Sequence, residues 1–264
     1  MMSKKYRFTL TLLAVFFFCF VLALPAQAAR RRNTWVVTKS QKVYYYGKKG
    51  KRTAGLKKIN GKSYYFDRSG VQRTGWRKIK NNYYFFNIST KKRGYMLSSK
   101  TVNGIRLDKK GRAVQTPESL RKLKLLVTAN QIVDQITNPK MTKEQKLKKC
   151  FDYTIQSYGY QTWRTFQNVN GWEIAYAEDM FFRGRGNCFS YASAFAYLAN
   201  AVGYQTVYVI SSGGHGWAEI GGKVYDPDWT FVSKVDSYFG MSYDLSGVNG
   251  RPNYKPNRAF ISKL

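Results

Sequence analysis

The stretch "RGRGNCFSYASAFAYLANAVGY", residues 183–204, decides how the C-terminal half folds. Gly184 and Gly186 mark a tight loop, and after Asn187 the apolar residues Cys188, Ala192, Phe195, Ala196 and Ala199 recur at helical spacing until Gly203 closes the run. The spacing predicts an alanine-rich, well-packed helix whose first turn holds Cys188. At a helix start, unsatisfied backbone N–H groups and the positive end of the dipole favour a thiolate, and Arg183 and Arg185 add to that field. The thiolate is the form of cysteine that attacks carbonyl carbon.

Outward from this helix, residues 205–210 read as a buried strand, followed by "GGHGWAEIGGKVYDPDW", residues 213–229, which contains the only histidine of the chain, His215. With Gly221-Gly222 as a two-residue turn, Glu219 faces Val224, Trp217 faces Asp226 and His215 faces Asp228, so that histidine and both acids are expected on one side of a sheet. A cysteine at a helix start, then a histidine, then an acid on the neighbouring strand is the set a thiol triad needs: nucleophile, base and orienting group.

The run from Gly186 to Trp229 resembles the transglutaminase-like superfamily of the papain-type cysteine fold. The elements that carry the resemblance are Gly186, Cys188, Tyr191-Ala192, Gly203, His215, Trp217 and Asp226-Pro227. It implies Cys188 as nucleophile, His215 as base and Asp226 as orienting acid, with Asp228 as the substitute for Asp226. The backbone N–H of Cys188 is the natural first oxyanion donor. Family members often add a side chain from upstream, and Trp163 and Trp172 fall at no spacing that assigns that role. The sequence names no cofactor and no metal site.

Ahead of the catalytic half, the chain repeats itself with a period of about 20 residues. The copies are "KVYYYGKKGKRTAGLKKI" (42–59), "NGKSYYFDRSGVQRTGWRKI" (60–79), "NNYYFFNISTKKRGYMLS" (81–98) and the faded "VNGIRLDKKGRAV" (102–114). Each pairs aromatic-rich strands across a turn, and Asn60-Gly61 is a favoured hairpin turn. The series resembles the cell-wall-binding repeats of choline-binding and glucan-binding surface proteins. That likeness implies aromatic contacts to wall choline or sugars, with Tyr64, Trp76, Tyr83 and Tyr95 as wall-ligand candidates, other rings serving as core between repeats. Ser63 and Asn82 stand where a tryptophan often precedes the aromatic run, a departure from the choline pattern.

Between the two halves, Thr116-Pro117 supplies a helix N-cap and a first-turn proline, with Leu120, Leu123, Leu126 and Val127 at helical spacing. A second helix starts at Thr142, in capping-box spacing with Gln145, and places Leu147, Cys150, Phe151 and Ile155 on one face. Cys150 is therefore expected as a buried helix-face residue; a disulfide to Cys188 is the other pairing open to an exported chain.

The N-terminus, with Lys4, Lys5 and Arg7 before an apolar run from Phe8 to Leu24 and "PAQA" after it, reads as a secretory signal ending at Ala28, an uncleaved anchor being the variant of that reading. The net charge of +31 over 264 residues attracts polyanions. For an exported chain these are anionic cell-wall polymers or peptidoglycan rather than nucleic acid, and no later stretch is apolar enough for a stable membrane span.

The expected fold class is α+β: a papain-like transglutaminase core of helices on an antiparallel sheet, preceded by an all-β hairpin-repeat module. The expected division is residues 1–28 signal peptide, 29–114 cell-wall-binding repeats and 115–264 transglutaminase-like domain. The expected function is that of a secreted, wall-associated thiol enzyme acting on a peptide or protein amide, as cysteine peptidase, amidase or cross-linking acyltransferase. The rival is a non-enzymatic wall-binding adhesin on the same scaffold.

Overall fold

A computed structural model of the chain describes residues 31–88, 94–235 and 237–262; the expected signal peptide lies outside them. The chain is α+β and divides into two compact units, one holding residues up to 57 together with 66–72, the other holding 58–65 and 73–264.

In the first unit, β1 (Thr34–Val37) and β2 (Val43–Tyr46) pair antiparallel, Thr34 opposite Tyr46 and Val37 opposite Val43. Trp35 packs its ring 5.2 Å from Tyr45 and 5.8 Å from Phe66, and the Arg52 guanidinium lies 4.1 Å over Tyr44. A short hairpin cannot bury an aromatic face by itself, which is why the repeat borrows Phe66 from the next copy. The division between units falls inside β3 (Gly55–Ile59), β4 (Lys62–Phe66) and β5 (Gln72–Arg73).

The second unit begins with two further hairpins, β6 (Gly75–Ile79) with β7 (Asn82–Phe86), and β8 (Thr101–Val102) with β9 (Ile105–Arg106). Four helices follow: α1 (Pro117–Ile136), α2 (Lys143–Ser157), α3 (Trp172–Arg183) and α4 (Cys188–Val202). Between α2 and α3 lies β10 (Gly159–Tyr160), which pairs parallel with β11 (Arg185–Gly186) just ahead of α4. The remaining elements are β12 (Val207–Ser211), β13 (Gly216–Ile220), β14 (Lys223–Tyr225), α5 (Pro227–Ser233), β15 (Phe239–Met241) and β16 (Asn257–Ser262). Their five strands form one antiparallel sheet in the order β15-β14-β13-β12-β16.

The capping box expected at Thr142 forms, and the N-cap expected at Thr116 is also a capping box. Thr116 accepts from Ser119 N while Ser119 Oγ accepts from Thr116 N, and Thr142 and Gln145 do the same at α2. Helix α4 is buried from end to end, wrapped by α1, α2 and α3 and laid on one face of the sheet at β12 and β13. That face contributes Val207, Val209, Ala218, Ile220 and Tyr225 to the main core; the other face buries Ile210, Trp217 and Val224 under Tyr238, Met241 and Tyr254. A helix buried all round can be uniformly apolar, which explains its run of alanines and aromatics.

The hairpins of the second unit share the helical core. Trp76, Tyr83, Phe85, Val102, Ile105 and Leu107 belong to the same buried cluster as Leu123, Leu126 and Phe195. A buried polar relay fixes their register: Trp76 Nε1 donates to Asn103 Oδ1 at 2.7 Å, and Asn103 Nδ2 donates to Asn200 Oδ1 of α4 at 3.1 Å. Arg77 adds an ion pair to Asp134 of α1 at 2.6 Å. Trp76→Ala is expected to lower stability by about 3–5 kcal/mol, because it removes a fully buried indole and leaves Asn103 without its donor. Equilibrium urea unfolding followed by circular dichroism measures this.

Candidate active site

Asn187 caps α4, its Oδ1 accepting from Ser190 N, and this places Cys188 as the first helical residue. Cys188 and Cys150 are both free thiols. Cys150 lies fully buried on α2, as its spacing predicts, and burial pushes its thiol up to about 12.

His215 sits in the turn between β12 and β13, where Ser212 N donates to His215 O at 2.9 Å. Strand β13 can approach the cysteine helix because residue 216 is glycine: a Cβ there would stand 2.6 Å from Phe189 Cδ1 and 2.9 Å from the Phe189 Cα. The second atom is backbone, so the strand itself would have to withdraw. Gly216→Ala is expected to slow acylation of Cys188 about 100-fold with the fold retained, since a misplacement of about 1 Å costs that much. Burst kinetics with p-nitrophenyl acetate would show it.

The Gly221-Gly222 turn forms with positive φ at both residues, +58° and +73°, and Glu219 pairs with Val224 as expected. The ladder stops one residue short of the acids. The expectation that Asp226 and Asp228 continue the strand opposite Trp217 and His215 is thereby corrected: β14 ends at Tyr225, and Asp226 becomes the N-cap of α5 with Pro227 in its first turn. An Asp-Pro pair is a helix start, and here that local preference overrides the strand alternation.

The turn nevertheless brings Asp226 to the histidine. His215 Nε2 and Asp226 Oδ2 stand 2.6 Å apart, and Asp226 also accepts from Tyr254 Oη at 2.8 Å and from Trp229 N at 2.9 Å. Asp226 is 0% exposed, and its three donors make it the committed carboxylate of the site. With Nε2 engaged, Nδ1 is the ring nitrogen left for Cys188. Burial draws the His215 pKa down, but the Asp226 charge, its hydrogen bond and the interaction with Cys188 outweigh it and raise the group to about 11. The imidazole therefore keeps its proton at neutral pH. Trp217, Trp229 and Tyr254 surround the ring at 6.0–6.2 Å between centroids.

Asp228 closes the cluster from the first turn of α5. Cys188 Sγ, a His215 ring nitrogen and an Asp228 carboxyl oxygen all lie within 4.8 Å of one another. The sequence does not point to Tyr254: it follows the irregular "RPN" and belongs to no periodic pattern. Of the two upstream tryptophans, Trp163 donates Nε1 to Arg185 O at 3.1 Å, and Trp172 packs among Phe166, Tyr176 and Phe189.

The four wall-ligand candidates are not among the groups that surround His215. Tyr64, Trp76 and Tyr83 are buried, and Tyr95 is partly exposed with Lys62 Nζ 4.5 Å over its ring. No described helix is long and apolar enough to cross a membrane.

Comparison with known proteins agrees with both halves of the sequence. Residues 130–234 match the family model of the transglutaminase-like superfamily, and residues 53–100 match that of the choline-binding repeat. Among solved structures, the choline-binding domain of a Streptococcus pneumoniae protein is 22% identical over 31% of this chain and 93% of its own, with a TM-score of 0.27. The multimodular pneumococcal cell-wall endolysin from phage Cp-1, complexed with choline, is 30% identical over 33% of this chain and 25% of its own, with a TM-score of 0.23. A truncated alternansucrase from Leuconostoc mesenteroides is 22% identical over 27% of this chain and 6% of its own, with a TM-score of 0.23. No curated protein matches the chain. The protein thus carries a transglutaminase-like domain at residues 130–234, preceded by a choline-binding repeat at residues 53–100.

Proposed function

We propose that this is an exported, wall-associated cysteine enzyme that breaks or exchanges amide bonds through Cys188, His215 and Asp226. The observation that carries the reading is the 2.6 Å contact between His215 Nε2 and a fully buried Asp226, on a ring whose other nitrogen is left for a cysteine at a helix start. Cys188 Sγ attacks the amide carbonyl carbon, a C–S bond forms, and the carbonyl π pair moves onto oxygen. Collapse breaks the C–N bond as His215 gives its proton to the departing amine, leaving a thioester. Water or a second amine then attacks the thioester carbon, the neutral imidazole takes the attacking group's proton, and the C–S bond breaks to return the Cys188 thiolate. Asp226 holds the ring through Nε2 and stabilises the imidazolium.

The choline-binding repeat match and the charge of +31 support a location on an anionic cell wall, where the substrate would be a wall-linked peptide or surface protein. Incubation of the protein with isolated peptidoglycan peptides and a labelled primary amine tests the reading. New amino groups without label identify a peptidase or amidase; incorporated label identifies a cross-linking transglutaminase. Retention on wall material with neither product would move the protein to the wall-binding adhesin.

A further inference from the structure

One group of the cluster has no task in the scheme above. Asp228 is 4% exposed, and its Oδ1 is buried without a hydrogen-bond partner among the described residues. It does not share the orienting role, since His215 Nε2 is bonded to Asp226. The groups that act on it are Asp226 of its own segment, His215 from the turn before β13, Tyr191 of α4 and Tyr160 of β10, with Cys188 Sγ within 4.8 Å.

A buried carboxyl group that has a negatively charged neighbour and accepts no hydrogen bond is disfavoured as the anion. Asp228 Oδ1 accepts no hydrogen bond, whereas Asp226 accepts three, so burial favours the protonated form of Asp228. A buried carboxylic acid is a hydrogen-bond donor, and the scheme still lacks a second donor for the oxygen that gains charge during attack. We infer that Asp228, as the neutral acid, donates to the oxygen of the attacked carbonyl, beside the backbone N–H of Cys188. The distances suit this. A reacting atom sits about 3 Å from both nucleophile and donor, and two such legs span a separation of no more than 4.8 Å with a bend at the oxygen. No proton is transferred: the O–H of Asp228 strengthens its hydrogen bond as the oxyanion forms and relaxes when the C–N or C–O bond breaks. The inference rests on the reading of Cys188 as nucleophile.

Burial, then the neighbouring Asp226 charge, raise Asp228 to about 7, with His215 opposing them. The donor is therefore present below neutrality and lost as pH rises through about 7, while His215 stays protonated. The test compares Asp228→Ala and Asp228→Asn with the wild type, with p-nitrophenyl acetate as the acyl probe and iodoacetamide as the control. Alkylation occurs at a saturated carbon and develops no oxyanion. Asp228→Ala is expected to acylate about 10²–10³-fold more slowly below pH 7, with alkylation of Cys188 within about three-fold of wild type. Asp228→Asn offers N–H donors that do not titrate, so its acylation rate is expected to lose the decline that the wild type shows above pH 7. Undiminished acylation in Asp228→Ala, equal loss of acylation and alkylation, or an unchanged decline in Asp228→Asn would each overturn the inference. A wild-type protein that neither alkylates nor acylates at Cys188 would remove the nucleophile reading itself, and is told apart by that.

Discussion

Cys188→Ala is expected to reduce release of amines from wall peptides by about 10⁴-fold or more and to abolish the p-nitrophenyl acetate burst. Among the described residues no other thiol can take the position. The remaining thiol of the described residues, Cys150, lies in the core of α2 with its pKa pushed up to about 12, so it supplies almost no thiolate at neutral pH. The fold should hardly notice the change. Residue 188 is the first of a helix capped by Asn187, alanine is the best helix former, and the cap does not use the sulfur. Loss of activity with an unchanged urea midpoint is the expected pair of results, measured on the same preparation.

Asp226→Ala is expected to do two kinds of damage, and Asp226→Asn separates them. The wild-type carboxylate accepts from His215, Tyr254 and Trp229 N, so alanine leaves a partly buried histidine and a buried phenol unpaired and removes the cap of α5. A loss of about 3–5 kcal/mol follows from removing the charged partner of a buried pair, together with a drop in kcat of about 10⁴-fold. Asparagine keeps one oxygen, which serves either the cap bond made by Oδ1 or the His215 and Tyr254 bonds made by Oδ2, and it carries no charge to hold an imidazolium. Its kcat should fall almost as far while its stability falls less, and KM should change little, because the group acts on the ring and not on bound substrate. The pH dependence has a definite sign. His215 binds its proton more tightly folded, at about 11 against an ordinary 6.5. Its contribution to stability is therefore full below pH 6.5 and lost as pH rises through 11. The gap in stability between wild type and Asp226→Asn should accordingly be widest below pH 6.5 and narrow towards pH 11.

What could be read from residues alone follows from how local each signal is. Helix α4 is legible because its start, its apolar face and its glycine stop lie within one continuous segment, and the β13–β14 hairpin because two glycines with positive φ admit one register. The α+β class follows from those two elements with the capped helices α1 and α2. The path of Asp226 is misread by alternation since Asp-Pro opens a helix more strongly than it extends a strand. Tyr254 is invisible because its bond to Asp226 spans 28 residues of irregular chain. The burial of Trp76 and Tyr83 with helical residues is equally non-local: aromatic spacing shows that a hairpin needs cover but does not name what covers it.

If His215 activates Cys188, the site and rate of alkylation report it. Wild type and His215→Ala, folded and reduced, are exposed briefly to iodoacetamide near pH 6 and the modified cysteines are located by mass spectrometry. Fast labelling of Cys188, no labelling of Cys150, and a drop of at least about 10-fold at Cys188 in the variant are expected. An inert Cys188, or labelling that the loss of His215 leaves unchanged, would contradict activation by His215.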